Sequence, residues 1–138
     1  MPSAPCCEWD EMNLEIKYLM LPVKDREISV RFFTENLGFE LAGDVRIRNH
    51  DCTALRINSK SPLLVLEEFE AGGFRPILEP DRIVLNTDDC LRDYYKLKTL
   101  GVRFLDKPEY LSVGLTVQFA DPSGNIFALF EQRDYQNN

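Results

Sequence analysis

An aspartate followed by an amphipathic stretch and a closing Leu-Gly occurs twice in this chain, at nearly the same length. Gly38 lies 13 residues after Asp25, Gly101 lies 12 after Asp89, and the two aspartates are 64 apart. A carboxylate at an N-cap accepts hydrogen bonds from the free N–H groups of the first turn, and a glycine after the last turn takes the positive φ that ends a helix. Each copy therefore reads as a helix specified at both ends. In the first, Ile28, Phe32, Phe33 and Leu37 fall near helical spacing; in the second, Leu91, Tyr94, Tyr95 and Leu97 do. A repeat this long means two copies of one supersecondary module, because a stacked solenoid needs more units to close a core.

The flanks of the two helices agree with duplication. From Leu14 to Asp25 the chain alternates as a strand, with Leu19, Leu21 and Val23 on one face and Tyr18, Met20 and Pro22 on the other. Pro22 cannot donate to a ladder, which puts this end at a sheet edge. Three further strands are expected over 39–48, 53–57 and 63–69, joined by polar turns at Asn49-His50-Asp51 and Asn58-Ser59-Lys60-Ser61. The order strand, helix, strand, strand, strand then restarts at 82–89, where Ile83 and Leu85 oppose Val84 and Asn86. It finishes on the runs 115–120 and 126–130, joined by Asp121-Pro122-Ser123-Gly124-Asn125. Pro122 presets φ for a turn, Asp121 can bond its own backbone two residues on, and Gly124 takes the positive φ. Leu115, Val117 and Phe119 alternate with Thr116 and Gln118, whereas Ile126 to Phe130 is apolar on both faces. The last hairpin is thus expected inside the fold, with one face left for something other than water. The class is α+β, one domain over 14–138 with modules at 14–69 and 81–134. A Gly- and Pro-containing linker at 70–80 joins them, and a polar arm at 1–13, read as mobile, carries Trp9, which is expected to dock on the body.

Composition removes several function classes. A net charge of −7 with no basic cluster argues against nucleic acid, since neutralising phosphates needs a basic face. No apolar run approaches the roughly 20 residues that cross a bilayer, and Met1 to Pro5 lacks the features of a signal peptide, so no membrane association and a cytoplasmic location are expected. Cys6, Cys7, Cys52 and Cys90 show no CxxC pair and no zinc spacing, and read as reduced thiols.

The run Phe32-Phe33-Thr34-Glu35-Asn36-Leu37-Gly38-Phe39 and the run Phe119-Ala120-Asp121-Pro122-Ser123-Gly124-Asn125 resemble the vicinal oxygen chelate superfamily. That superfamily holds glyoxalase I, extradiol dioxygenases, methylmalonyl-CoA epimerase, fosfomycin-modifying enzymes and the bleomycin resistance proteins. The resemblance covers Leu14 to about Glu131. It implies two βαβββ modules whose eight strands curl around a cleft, where metal-dependent members place four inward-facing His, Glu or Gln ligands. Carried over to this chain, the first and third ligand positions fall on Tyr18 and Arg82, and the last on Ala128. The second lies near Val65 to Glu67, with Glu67 the sole donor. One carboxylate is too few ligands for a catalytic divalent ion, and Arg82 would repel one. The resemblance therefore implies the metal-free, bleomycin-resistance-like branch, with no metal and no cofactor.

Other chemistry finds little footing. His50 lies in a polar turn, Glu67 and Glu68 point to opposite faces of one strand, and neither a nucleophile with its base nor a phosphate-binding glycine loop is present. No catalytic residue is assigned. By alternation Tyr18, Met20, Arg82, Val84, Asn86, Ile126, Ala128 and Phe130 share the inward face, although cores are lined by the same residue types. The candidate ligand-binding set is Tyr18, Met20, Glu67, Arg82, Asn86, Ala128 and Phe130. Arg82, expected in the middle of a buried face, needs Glu67 or an anionic ligand group as partner. The expectation is a homodimeric, metal-independent protein sequestering an amphipathic or aromatic, antibiotic-like molecule. The alternative is a metal-dependent lyase, isomerase or dioxygenase with non-standard ligands including Glu67.

Overall fold

The computed structural model describes residues 12–47, 49–69 and 82–133. Expectations for Cys6, Cys7, Trp9, most of the arm and the linker lie outside the described residues. The order is β1 (Tyr18–Val23), α1 (Arg26–Arg31) running into a π-helical turn (Phe32–Asn36), β2 (Glu40–Ile47), β3 (His50–Arg56) and β4 (Leu63–Glu68). The second half has β5 (Arg82–Asn86), α2 (Cys90–Thr99), the short β6 (Arg103–Phe104) and β7 (Glu109–Leu111), β8 (Gly114–Ala120) and β9 (Ile126–Gln132). This is the expected α+β architecture of two βαβββ units. No described helix is long and apolar enough to cross a membrane.

Each half makes its own sheet. In the first the strands lie in the order β1-β4-β3-β2, with β1 parallel to β4. In the second the order is β5-β9-β8-β6, with β5 parallel to β9, and β7 also pairs with β8. Each half thus opens on a strand at the edge of its sheet, as Pro22 had indicated for β1. Both helices start as their sequences dictate: Asp25 Oδ1 accepts from Ile28 N at 3.1 Å and Asp89 Oδ1 from Arg92 N at 3.0 Å. Gly38 and Gly101 follow at φ +78° and +91°.

One apolar core serves both halves. Leu21, Val23, Leu64 and Leu66 of the first sheet, Phe32 and Phe33 of the π turn, Tyr94 and Leu97 of α2, and Val117, Phe119, Phe127 and Leu129 of the second sheet belong to a single cluster. The helix-covered face of each sheet is therefore turned toward the other half. Aromatic rings carry the junction: Phe33 lies 5.5 Å from Phe127 and stacks on Phe39, while Phe127 stacks on Phe119.

The turn that closes the last hairpin is a second tie. Gly124 N donates to Asp121 O at 3.0 Å, and the buried Asp121 carboxylate accepts from Ser123 N, Asn125 N and Asn125 Nδ2. Burial pushes the Asp121 carboxyl up, against those hydrogen bonds, which pull it down. Asn125 Nδ2 also donates to Pro22 O at 2.8 Å, and Ser123 Oγ accepts from Lys24 N at 2.8 Å, so the end of β1 is held by the turn of the other half.

Three local readings change. Ile28 is 49% exposed, and the core takes Ser29, Phe32 and Phe33 instead, at the three- and four-residue spacing of one α-helical face. Tyr95 points outward at 62%, leaving Cys90, Tyr94 and Leu97 as the buried side of α2. His50 and Asp51 are strand residues, since Ile47 pairs directly with His50 and Arg46 with Asp51, and Asn49 before them sits at φ +68°. In the closing turn Gly124 sits at φ +94°, where a β-branched residue is strained. Gly124→Val is expected to destabilise the protein by about 1–3 kcal/mol. An unchanged melting temperature would contradict this account of the turn.

Candidate functional site

The sheet faces turned away from the shared core carry the candidate residues, and strand register sorts them into two groups. On the first sheet Tyr18 stands beside Leu63, which faces Arg56; Met20 stands beside Val65, which faces Ala54; and Pro22 stands beside Glu67. Cys52, Ala54 and Val65 form a buried floor against which Tyr18, Ala42, Val45, Ile47 and Leu63 pack. Met20 is 40% exposed above it. Glu67 is half-buried at one end of this face. The neighbouring Cys52 thiol is pushed up, by its burial first and by the charge of Glu67 second, so it is a poor nucleophile.

On the second sheet Arg82 pairs with Ile126, Val84 with Ala128 and Asn86 with Phe130. Across β9 these meet Ala120, Gln118 and Thr116 in turn. Ala120 and Ala128 are buried and small, and the half-buried Ile126, Phe130 and Gln118 stand beside them on this face. Val84 is 62% exposed, and Arg82 and Asn86 are exposed with it.

The alternation read from sequence thus holds within each sheet, but one chain does not bring the two groups together. Tyr18, Met20 and Glu67 share one face, and Arg82, Asn86, Ala128 and Phe130 share another. The shared core separates them, because it is made from the reverse faces of both sheets. Arg82 is accordingly not the buried cation expected. β5 is an edge strand whose outer face is exposed among the described residues, and none of the ion pairs among them joins Arg82 to Glu67. A groove of about 550 Å³ lies elsewhere, on the helix side, with Leu19 of β1, residues 83–87 and Leu97 of α2 among its walls. It runs between the edge strands and reaches Val84 and Asn86, but none of the other outer-face candidates lines it.

The family's divalent ion does not fit these residues. At the positions that the resemblance gives to three of the ligands stand Tyr18, Arg82 and Ala128, and no group of three or more His, Cys, Asp or Glu among the described residues is placed to hold a metal. His50 is exposed at the start of β3, on the first sheet. Gln118, Thr116 and Asp106 were absent from the sequence-derived set, although the Thr116/Gln118 alternation had marked a face left free. Asp106 Oδ1 accepts from Gln118 N at 2.8 Å and Oδ2 from Gln118 Nε2 at 3.1 Å. Thr116 Oγ1 donates to Leu129 O at 2.8 Å.

Comparison with known proteins bears on this arrangement. The family model "Glyoxalase/Bleomycin resistance protein/Dioxygenase superfamily" matches residues 15–129. The uncharacterised protein YetH of Bacillus subtilis (strain 168) is 32% identical over 131 residues, 87% of this chain and 100% of that protein. Among solved structures, TnmS3, an antibiotic binding protein from Streptomyces sp. CB03234, superposes with a TM-score of 0.75 at 27% identity, covering 89% of this chain and 100% of that one. Glyoxalase I of Leishmania major superposes at 0.71 with 17% identity over 86% of this chain and 87% of its own, which is a likeness of fold alone. The chain belongs to the glyoxalase/bleomycin resistance protein/dioxygenase superfamily.

Proposed function

We propose that this chain is a metal-independent binding protein that sequesters an amphipathic or aromatic small molecule between its two outer faces. The observation that carries the reading is the chemistry of those faces. Where the superfamily's metal ligands would stand, the chain has Tyr18, Arg82 and Ala128, and around them Met20, Val84, Ile126 and Phe130 offer contact area with Asn86 and Arg82 as polar points. Apolar walls with a few placed polar groups bind organic molecules. The antibiotic-binding activity of the TnmS3 relative supports an antibiotic-like ligand.

A face exposed to water on a single sheet gives a ligand only one wall. Because the two faces lie on opposite sides of one chain's core, a cleft with two walls needs the first sheet of one copy set against the second sheet of another. An isologous dimer makes two such clefts at once. The edge strands β1 and β5 fit this assembly, since each has one unpaired side among the described residues and would meet its counterpart across the dimer.

Sedimentation equilibrium at micromolar concentration is expected to give a mass near twice 16.0 kDa. A concentration-independent monomer would remove the second wall and with it this reading. Native mass spectrometry is expected to find a small organic molecule retained by the dimer. Ala128→Leu, which puts a larger side chain on the second outer face, is expected to abolish that retention while leaving the dimer mass unchanged. Elemental analysis of dialysed protein is expected to show zinc, nickel, iron and manganese far below stoichiometric. About one tightly held ion per chain would overturn the metal-independent reading.

A further inference from the structure

We infer that Gln118 is the residue that selects ligands on the second outer face. It presents its amide carbonyl to a neutral hydrogen-bond donor, a hydroxyl or an amide N–H, carried on an aromatic body lying over Ala128. The inference rests on the proposed binding role of that face and names what the face prefers.

The edge of the second sheet is broken. β6 and β7 are two fragments that both pair with β8, and between them the chain leaves the ladder at Leu105 to Pro108. Leu105 N still donates to Gln118 O at 2.9 Å, but Gln118 N receives no backbone partner and is met by the Asp106 carboxylate at 2.8 Å. The other oxygen of that carboxylate accepts from Gln118 Nε2 at 3.1 Å. A carboxylate is an acceptor only, so it selects the amide edge that faces it: the NH2 is held, and the carbonyl Oε1 is directed elsewhere. Two bonds to one carboxylate fix both the backbone and the side chain of this residue.

Gln118 pairs with the small, buried Ala128, and on this strand its neighbours on the same face are Thr116 and Ala120. Thr116 spends its proton on Leu129 O, and Ala120 has nothing to offer. Gln118 is therefore the polar group of β8 with a fixed orientation and a free acceptor beside Ala128, between Phe130 on one side and Ile126 on the other. A buried or half-buried acceptor aimed at a ligand discriminates strongly against an analogue that lacks the donor, because the acceptor is then desolvated without a partner. The negative charge of Asp106 behind the amide polarises the carbonyl further and opposes an anion at the same spot.

The test uses two probes of nearly equal shape, 2-naphthol and 2-methoxynaphthalene, titrated calorimetrically into the full-length protein. Apolar contact alone favours the ether, which is the more hydrophobic. The inference expects the naphthol to bind about 5-fold more tightly or better. In Gln118→Met the naphthol should lose that advantage while the ether affinity stays within about twofold, because the volume is kept and only the acceptor is removed. Asp106→Ala frees the amide to rotate and should narrow the preference without weakening the ether. Equal binding of both probes by the wild type, or a naphthol preference that survives Gln118→Met, would overturn the role of Gln118 and leave the binding face standing. A drop in melting temperature in both variants with the preference unchanged would mean that the pair only caps the sheet edge, which also overturns it. If neither probe binds at millimolar concentration, the aromatic-accepting face fails, and the inference falls with it.

Discussion

Four phenylalanine rings decide how this molecule presents itself. Phe39 stacks on Phe33, Phe33 meets Phe127, and Phe127 stacks on Phe119, so a continuous column runs from the first half of the chain into the second sheet. Phe33, Phe119 and Phe127 are fully buried. Burying a side chain of this kind contributes about 1.5–3 kcal/mol, and each well-set ring pair adds about 0.5–1.5 kcal/mol. Marginal stability makes such a column hard to give up, because its loss would cost a large part of what holds a domain of this size together.

Everything outside the core follows from which faces that column joins. The helix-covered sides of both sheets are consumed within the chain, and the turn at Asp121 to Asn125 locks them by gripping the Pro22 carbonyl and the Lys24 amide. What is left over is two outer faces, one with Cys52, Ala54 and Val65 beneath it and the other with Ala120 and Ala128, together with the edge strands, β1 and β5 among them. In the function we propose, each face is half of a binding cleft. The folding core of one chain and the proposed ligand site of the assembly are then opposite sides of the same two sheets.

Much of this could be read from residues. The N-caps, the positive-φ glycines, the closing turn and the alternation on β1, β5 and β9 are local properties, set by neighbours a few positions away. Sequence periodicity says which residues share a face but not which face another half of the chain will cover, and that choice rests on contacts between residues such as Phe33 and Phe127, far apart in the chain. For this reason Tyr18 and Arg82 could be placed on like faces but not on opposite sides of one core. Arg82 was likewise expected to be buried, since its β-branched and apolar neighbours on β5 resemble a core strand, whereas β5 lies at an edge. Ile28 has helical spacing to Phe32 yet lies at the margin of the buried face, which centres on Ser29, Phe32 and Phe33, because a small polar residue such as Ser29 gives no apolar signal for the side that is covered. The Asp106–Gln118 pair depends on a strand broken into two fragments, which a short, weakly alternating stretch does not announce.

The central claim is that the two faces meet across chains and not within one. It is tested most directly by placing a single reporter cysteine on each, Met20→Cys in one preparation and Val84→Cys in another, both in a Cys6→Ser, Cys7→Ser background. The two are then mixed and treated with a short thiol-to-thiol cross-linker. Met20 and Val84 belong to the outer faces of different sheets, and both are exposed. The account expects a covalent heterodimer joining one Met20→Cys chain to one Val84→Cys chain, at much higher yield than either variant cross-linked to itself. Efficient cross-linking within a single chain carrying both substitutions, at dilutions where chains no longer associate, would contradict it.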